Sequence, residues 1–199
     1  DVKNPLANAR RFVADHFTQD NRRTLHHHRG EFYTWAASHY RRLDQADLRT
    51  KLYKFLEGAQ AGRKDERGLE PFHPTKRRID EMLDALRAAG HLETEIMPPA
   101  WLRQADGPPP GDFLPCANGL LRLSDMKLLD HSPEYFCTSA LPVAFDPEAP
   151  EPGEWLAFFR SVWNTDAQAV ETLQEAFGYW LTSDSRQRKI FLLVGPTDS

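Results

Sequence analysis

The strongest constraint on this chain is a block of breakers near its middle. Pro98-Pro99 and then Gly107-Pro108-Pro109-Pro110-Gly111 remove backbone donors and fix φ so densely that neither a helix nor a central strand can run through them. Residues 98–112 are therefore expected to form a surface loop or subdomain boundary. Regular structure has to be assembled on either side of it.

Upstream, residues 1–97 read as helices around a small antiparallel sheet. Asn4-Pro5 is a capping side chain followed by proline in the first turn, and Leu6, Ala9, Val13 and Phe17 then recur at helical spacing. Leu25 to His28, Arg29-Gly30 and Glu31 to Ala36 read as strand, turn and strand, with a third strand over His39 to Leu43. Asp44 caps a helix with Leu48, Leu52, Phe55, Leu56 and Ala59 on one face, ending in the Gly-containing stretch after Gln60. Pro74 opens another, whose Ile79, Met82, Leu83 and Leu86 follow the i, i+3, i+4, i+7 rule and whose stop is Gly90.

Downstream, residues 113–150 read as a β-rich insert. Phe113 to Leu123, Lys127 to Asp130 and Leu141 to Phe145 are strand-like, with turns at Asn118-Gly119 and His131-Ser132-Pro133. Residues 151–185 then read as a helix pair. Trp155, Phe158, Phe159 and Val162 make one apolar stripe; Thr165-x-x-Gln168 resembles a capping box, and Val170, Leu173, Phe177 and Trp180 form a second stripe. Aromatics this dense, Trp155, Phe159, Phe177 and Trp180 above all, suit a tightly packed pair or an interface between subunits. The expected class is α+β, predominantly helical.

Composition narrows the function classes. With 199 residues, 40% hydrophobic and 27% charged, the chain can bury one sizeable core or two small ones. Its formal net charge of −4 does not suit a domain that coats nucleic acid by charge alone, so DNA contact has to be local. Candidate positions are Arg22, Arg23, Arg41, Arg42, Lys76, Arg77 and Arg78; Arg10-Arg11 and the run from Arg186 to Lys189 are further basic clusters. Cys116 and Cys137 lack C-x-x-C spacing and fit a reducing compartment, so a cytoplasmic location is expected. The N-terminal residues show no signal-peptide pattern, and no apolar run is long enough to cross a bilayer.

Metal and catalytic constellations are not legible. In His26-His27-His28 only His26 and His28 can face the same side of a strand, and adding His39 from a neighbour would make three ligands only by an unsupported pairing. No metal site and no catalytic residues are expected. Glu171 and Glu175 stand one helical turn apart with no partner base or nucleophile in view.

Residues 186–199 carry the clearest chemistry. Lys189 to Val194 is a buried strand by composition, followed at once by Gly195, Pro196, Thr197, Asp198 and Ser199. Set beside the P-loop G-x-x-x-x-G-K-[ST], this supplies the first glycine and four variable positions. The second glycine, the phosphate-holding lysine and the magnesium-ligating hydroxyl are not among these residues, so this sequence by itself is not expected to hydrolyse ATP.

Several pieces ahead of that strand carry a resemblance in their order and separation: Asn118-Gly119-Leu120-Leu121, His131-Ser132-Pro133 with Thr138, Leu141-Pro142-Val143, Asp146-Pro147 with Ala149, Trp155, Leu173-Gln174-Glu175 and Gly178-Tyr179. Together they resemble the D-five N-terminal-like domain of poxvirus-, phage- and plasmid-type primase-helicases over roughly residues 113–199; before residue 110 the likeness is one of style. The resemblance implies a region just upstream of a superfamily III helicase ATPase, in a mobile-element replication protein with a primase or primase-polymerase further upstream. It implies hexameric rings, DNA as partner and ATP with magnesium as cofactors of the whole protein, of which this chain would be a non-catalytic piece. The expected role is a connector and oligomerisation domain that engages single-stranded DNA or a primed template. The alternative is a winged-helix-like DNA reader, with Leu48 to Leu56 and Pro74 to Leu86 as helices and Leu25 to Ala36 as wing.

Overall fold

The computed structural model describes residues 4–57, 59–62, 69–103, 107–163, 166–182, 188 and 190–192. The fold is α+β: helices and small antiparallel sheets, in two compact units, Asp1–Phe145 and Asp146–Ser199.

In the first unit, helix α1 (Pro5–His16) starts as its cap dictates, with the Asn4 side chain accepting from the Ala7 amide. Its buried residues are Ala9, Phe12 and Val13, whereas Leu6 points outward. A tight hairpin, β1 (Thr18–Gln19) and β2 (Arg22–Arg23), turns on Asp20 and Asn21, both in the left-handed region. The central sheet follows as β3 (Leu25–His28), β4 (Glu31–Trp35) and β5 (Tyr40–Leu43), antiparallel in that order. Helix α2 (Gln45–Glu57) is capped by Asp44, which accepts from the Ala46 amide, and buries Leu48, Leu52 and Leu56. It stops earlier than its apolar spacing suggests: Gln60–Gly62 (β6) pairs with Leu69–Pro71 (β7), so Ala59 lies beyond the helix. Thr75 caps α3 (Lys76–Gly90), which packs on α1, α2 and β3.

Alternation in the central sheet sends two different chemistries to its two faces. Leu25, Phe32 and Leu43 join the helices in the main core, with Phe12, Leu52, Ile79 and Leu83 among its buried members. On the other face Tyr33, Trp35 and Tyr40 pack with Phe136, Leu92 and Ile96. Gly90 does not end α3 by a left-handed turn. A Cβ there would lie in ordinary contact with the β3 backbone, 3.4 Å from the His27 nitrogen; beyond it His91 bridges His27, and the Leu92 amide donates to the His27 carbonyl at 2.9 Å.

The proline-rich stretch lies inside the first unit and contains a short strand, β8 (Ala100–Trp101), paired with β12 (Tyr135–Phe136). A 3-10 turn, Pro110–Asp112, leads into β9 (Phe113–Cys116), β10 (Gly119–Arg122) and β11 (Lys127–Leu129), a three-stranded sheet with β10 central. Trp101, Phe113 and Tyr135 stack at its edge, ring centroids 4.9 to 5.9 Å apart. Leu141 to Phe145, expected as a strand, is not one: Pro142 has no N–H, and only scattered bonds such as Leu141 N to Pro115 O and Ala117 N to Val143 O form. The segment is instead held by the Asn118 side chain, which donates to the Phe145 carbonyl at 2.8 Å and accepts from its amide at 2.9 Å.

The second unit contains α4 (Gly153–Val162) and α5 (Ala167–Trp180). The cap of α5 is Asp166, accepting from Ala169 N; Thr165, read as the start of a capping box, lies outside the described residues. Only Phe159, Leu173 and Ala176 are buried on the two helices, so Phe177 and Trp180 do not form the enclosed face that spacing suggested. Residues 190–192, expected in a buried strand, have no strand pairing, and Ile190 is 94% and Leu192 81% exposed. An apolar run is buried as a strand only where neighbours cover it on both faces.

Gly119 gives a sharp test of the β-rich sheet, because a Cβ there would lie 2.7 Å from the Leu129 carbonyl oxygen and 2.8 Å from Leu128 Cγ. Gly119→Ala is expected to lower stability by about 1–3 kcal/mol in urea denaturation. Gly30→Ala, at a position with φ +87° and open space around it, is expected to cost about 1–2 kcal/mol from backbone conformation alone. An unchanged urea midpoint for Gly119→Ala would contradict the close packing of β10 on β11.

Candidate nucleic-acid interface

The basic residues divide into those committed to the fold and those left outward. The left-handed Asp20-Asn21 turn delivers Arg22 and Arg23 side by side just ahead of β3. Arg23 crosses to the end of α3, donating from Nη1 to the Ala89 carbonyl at 2.5 Å and from Nη2 to the His91 carbonyl at 3.3 Å. The last carbonyls of a helix lack intrahelical partners and carry its partial negative charge, so a guanidinium there works as a cap supplied by another element. Its Nη2 also lies 3.2 Å from His26 Nδ1, while its Nε is buried without a partner among the described residues.

Arg22 turns the other way. Its Nε pairs with Glu134 at 3.1 Å, and its Nη1 donates to Ser132 Oγ at 3.4 Å. Arg103 reaches the same Glu134 carboxylate at 3.9 Å. The structure thus brings Arg22 and Arg23 together with Arg103, a residue the sequence did not single out, around a cleft of about 300 Å³. No local signal marks Arg103, a single basic residue after a proline pair whose place is fixed by the β8 to β12 pairing.

The other candidates are spread out. On β5, Arg42 pairs with Glu31 at 2.7 Å and Arg41 is exposed. On α3, Arg77 and Arg78 share Glu81, at 3.0 and 2.9 Å, and Lys76 is exposed. Among the described residues Arg41 and Lys76 make no ion pair; pairing by the others is exposed or half-exposed and weak enough to be exchanged for a phosphate. Asp80 and Asp84 also lie on the exposed face of α3, which is unfavourable for insertion into a groove. The β3–β4 hairpin, expected as a wing, has both faces covered and does not project.

The histidines serve packing. His26 and His28 do face one side, both against Phe136, with ring centroids 6.1 and 5.5 Å away. His26 Nε2 lies 3.2 Å from the Tyr40 hydroxyl. Burial, reinforced by the Arg23 charge, pushes the His26 imidazole down to about 3, so it is neutral at pH 7. His39 lies instead beside Ser38, 2.9 Å from its Oγ, and near Arg41 and His131. No group of three or more His, Cys, Asp or Glu residues suited to a metal ion occurs among the described residues.

In the second unit Trp155 stacks edge-on with Phe159 at 4.3 Å and Phe177 at 5.3 Å, and Phe177 with Trp180 at 5.0 Å. Phe159 is enclosed, but Trp155 is 42%, Phe158 55% and Trp180 52% exposed. Gly195, Pro196, Thr197, Asp198 and Ser199, read as the start of a P-loop, lie outside the described residues.

Comparison with known families adds one finding: the model of the D5 N-terminal-like family matches residues 10–164, well over half of the chain. The chain belongs to the D5 N-terminal-like family, which places it with DNA-replication proteins of the primase-helicase kind. No curated protein matches it. No helix among the described residues is long and apolar enough to cross a membrane.

The depressed His26 value sets an acid dependence. Its unfolded form takes a proton near pH 6.5, its folded form only near 3. The contribution to stability is complete above the unfolded value and is lost as pH falls toward 3, at up to about 1.4 kcal/mol per pH unit. His27 and His39, also lowered by burial, act in the same direction. Urea midpoints between pH 7.5 and 5 should therefore fall less steeply in His26→Gln than in wild type; equal slopes would contradict a neutral buried His26.

Proposed function

We propose that this chain is a non-catalytic connector and oligomerisation domain of a mobile-element primase-helicase, joining an upstream primase to a downstream ATP-dependent helicase of superfamily III. Family membership over residues 10–164 supports the setting. The observation that carries the role is the aromatic surface of the second unit. Trp155, Phe158 and Trp180 lie exposed on two adjoining helices, and contiguous apolar surface of this kind marks association. A second copy of the chain is the partner in this reading, and the whole protein works as a cytoplasmic hexameric ring that uses ATP and magnesium.

DNA engagement in this reading is local and electrostatic. Arg41 and Lys76 offer exposed charge without an ion pair among the described residues, and Arg42, Arg77 and Arg78 exchange weak surface pairs for phosphate contacts. Such contacts hold a single-stranded or primed template without sequence preference.

Light scattering of the full chain after size exclusion, with and without single-stranded DNA, tests both parts. The expected result is a concentration-dependent assembly that Trp155→Ser and Trp180→Ser each weaken by about 2 kcal/mol, or roughly thirtyfold. DNA affinity should fall steeply with salt. A strict monomer that prefers one duplex sequence would sink the connector reading.

A further inference from the structure

The cleft between β2 and the segment around Glu134 has a composition that neither the connector role nor the packing of the core requires. Three guanidiniums line it, from Arg22, Arg23 and Arg103, against one carboxylate, Glu134, among the described residues. His26 at its inner wall is neutral at pH 7. Among the described residues the lining therefore carries a net charge of two positive units. Arg23 is fixed by backbone carbonyls at the end of α3 and pairs with no carboxylate among the described residues, so its full charge meets only the partial charges of that helix end. Arg103 is exposed and touches Glu134 only at 3.9 Å, which leaves its planar fork available.

The remaining walls are apolar: Leu92, Leu102 and Pro133. Roughly 300 Å³ is the lower bound of small-molecule sites and far more than one phosphate fills, and the cleft reaches that volume. Guanidinium forks match phosphate oxygens with paired, charge-assisted hydrogen bonds, while an apolar wall accepts the face of a sugar or base.

We propose that the cleft bounded by Arg22, Arg23 and Arg103 is a binding site for a phosphorylated nucleoside unit, its phosphate held by Arg22 and Arg103 over the Arg23 charge and its nucleoside against Leu92 and Leu102. Glu134 holds Arg22 and Arg103 at the wall and competes with the phosphate for them. The inference stands on the cleft alone and does not depend on the helicase reading, so a monomeric protein without DNA-dependent assembly would leave it intact.

The unit can come from a free nucleotide or from the phosphorylated end of a strand. Isothermal titration of the full chain with inorganic phosphate, dAMP, and a six-nucleotide single strand bearing either a 5′-phosphate or a 5′-hydroxyl separates these sources. Binding of dAMP, or of the phosphorylated strand in preference to the hydroxyl strand, supports the site and names its source. Arg103→Ala, at an exposed position, should keep the wild-type melting temperature and weaken that binding about tenfold, as should Arg22→Ala. Glu134→Gln should strengthen it about threefold or more, because it removes the competing charge; a purely structural Glu134 predicts no gain. Absence of binding by both nucleotide forms, binding of inorganic phosphate alone, or affinities unmoved by Arg103→Ala overturns the proposal.

Discussion

A phenol buried between two halves of a chain has to find a hydrogen-bond partner, because an unpaired hydroxyl in a dry site is costly. Tyr40 is fully buried and its hydroxyl donates to the Pro133 carbonyl at 2.6 Å, with His26 Nε2 at 3.2 Å. Its amide donates to the Cys137 carbonyl at 2.7 Å. One residue of β5 thus ties the helical part of the first unit to the segment carrying β12, and the rings of Trp35, His26 and Phe136 close around it. The cleft with its three arginines exists because this tie brings Glu134 and Arg103 against β2. Desolvation pushes the Tyr40 phenol well above its ordinary range, so the donor stays protonated throughout the physiological range.

Local patterns read well from sequence where a side chain acts on its own neighbourhood. Asn4, Asp44 and the α3 stripe Ile79, Met82, Leu83 and Leu86 appear where caps and periodicity put them, and the alternation of β3 gave His26 and His28 one face. What was not legible depended on partners distant in sequence. Phe12 outranks Leu6 in α1 because α3 and Phe55 lie on that side, and the breaker-rich stretch contributes a strand because Tyr135 and Phe136 lie alongside it. Gly119, read as part of a turn, is a close-approach glycine, a property that only the opposing strand reveals. Sequence likeness was strongest after residue 113, yet the family match begins at residue 10: helices and hairpins conform to a family through spacing that short motifs do not display.

The candidate interface shows the same division. Runs such as Arg22-Arg23 mark charge but not its fate, and adjacent residues on a strand part company: Arg23 caps a helix and Arg22 meets a carboxylate. Arg103 completes the group from 80 residues away in sequence. In the second unit the helical spacing of aromatics brings Trp155, Phe159, Phe177 and Trp180 together, but of these four only Phe159 is enclosed, since two helices of 10 and 14 residues have too little surface to enclose so many rings.

The paired bonds between Asn118 and Phe145 have a mechanical consequence. They imitate one rung of a β-ladder at the last residue of the first unit, immediately before the proline-rich run Asp146 to Pro152. Tension arriving along the chain from residue 146 onward therefore meets a two-bond clasp on an exposed turn before it meets the aromatic cores. Such a clasp is a side-chain substitute for backbone pairing: it holds the end of a segment that Pro142 keeps out of the sheet.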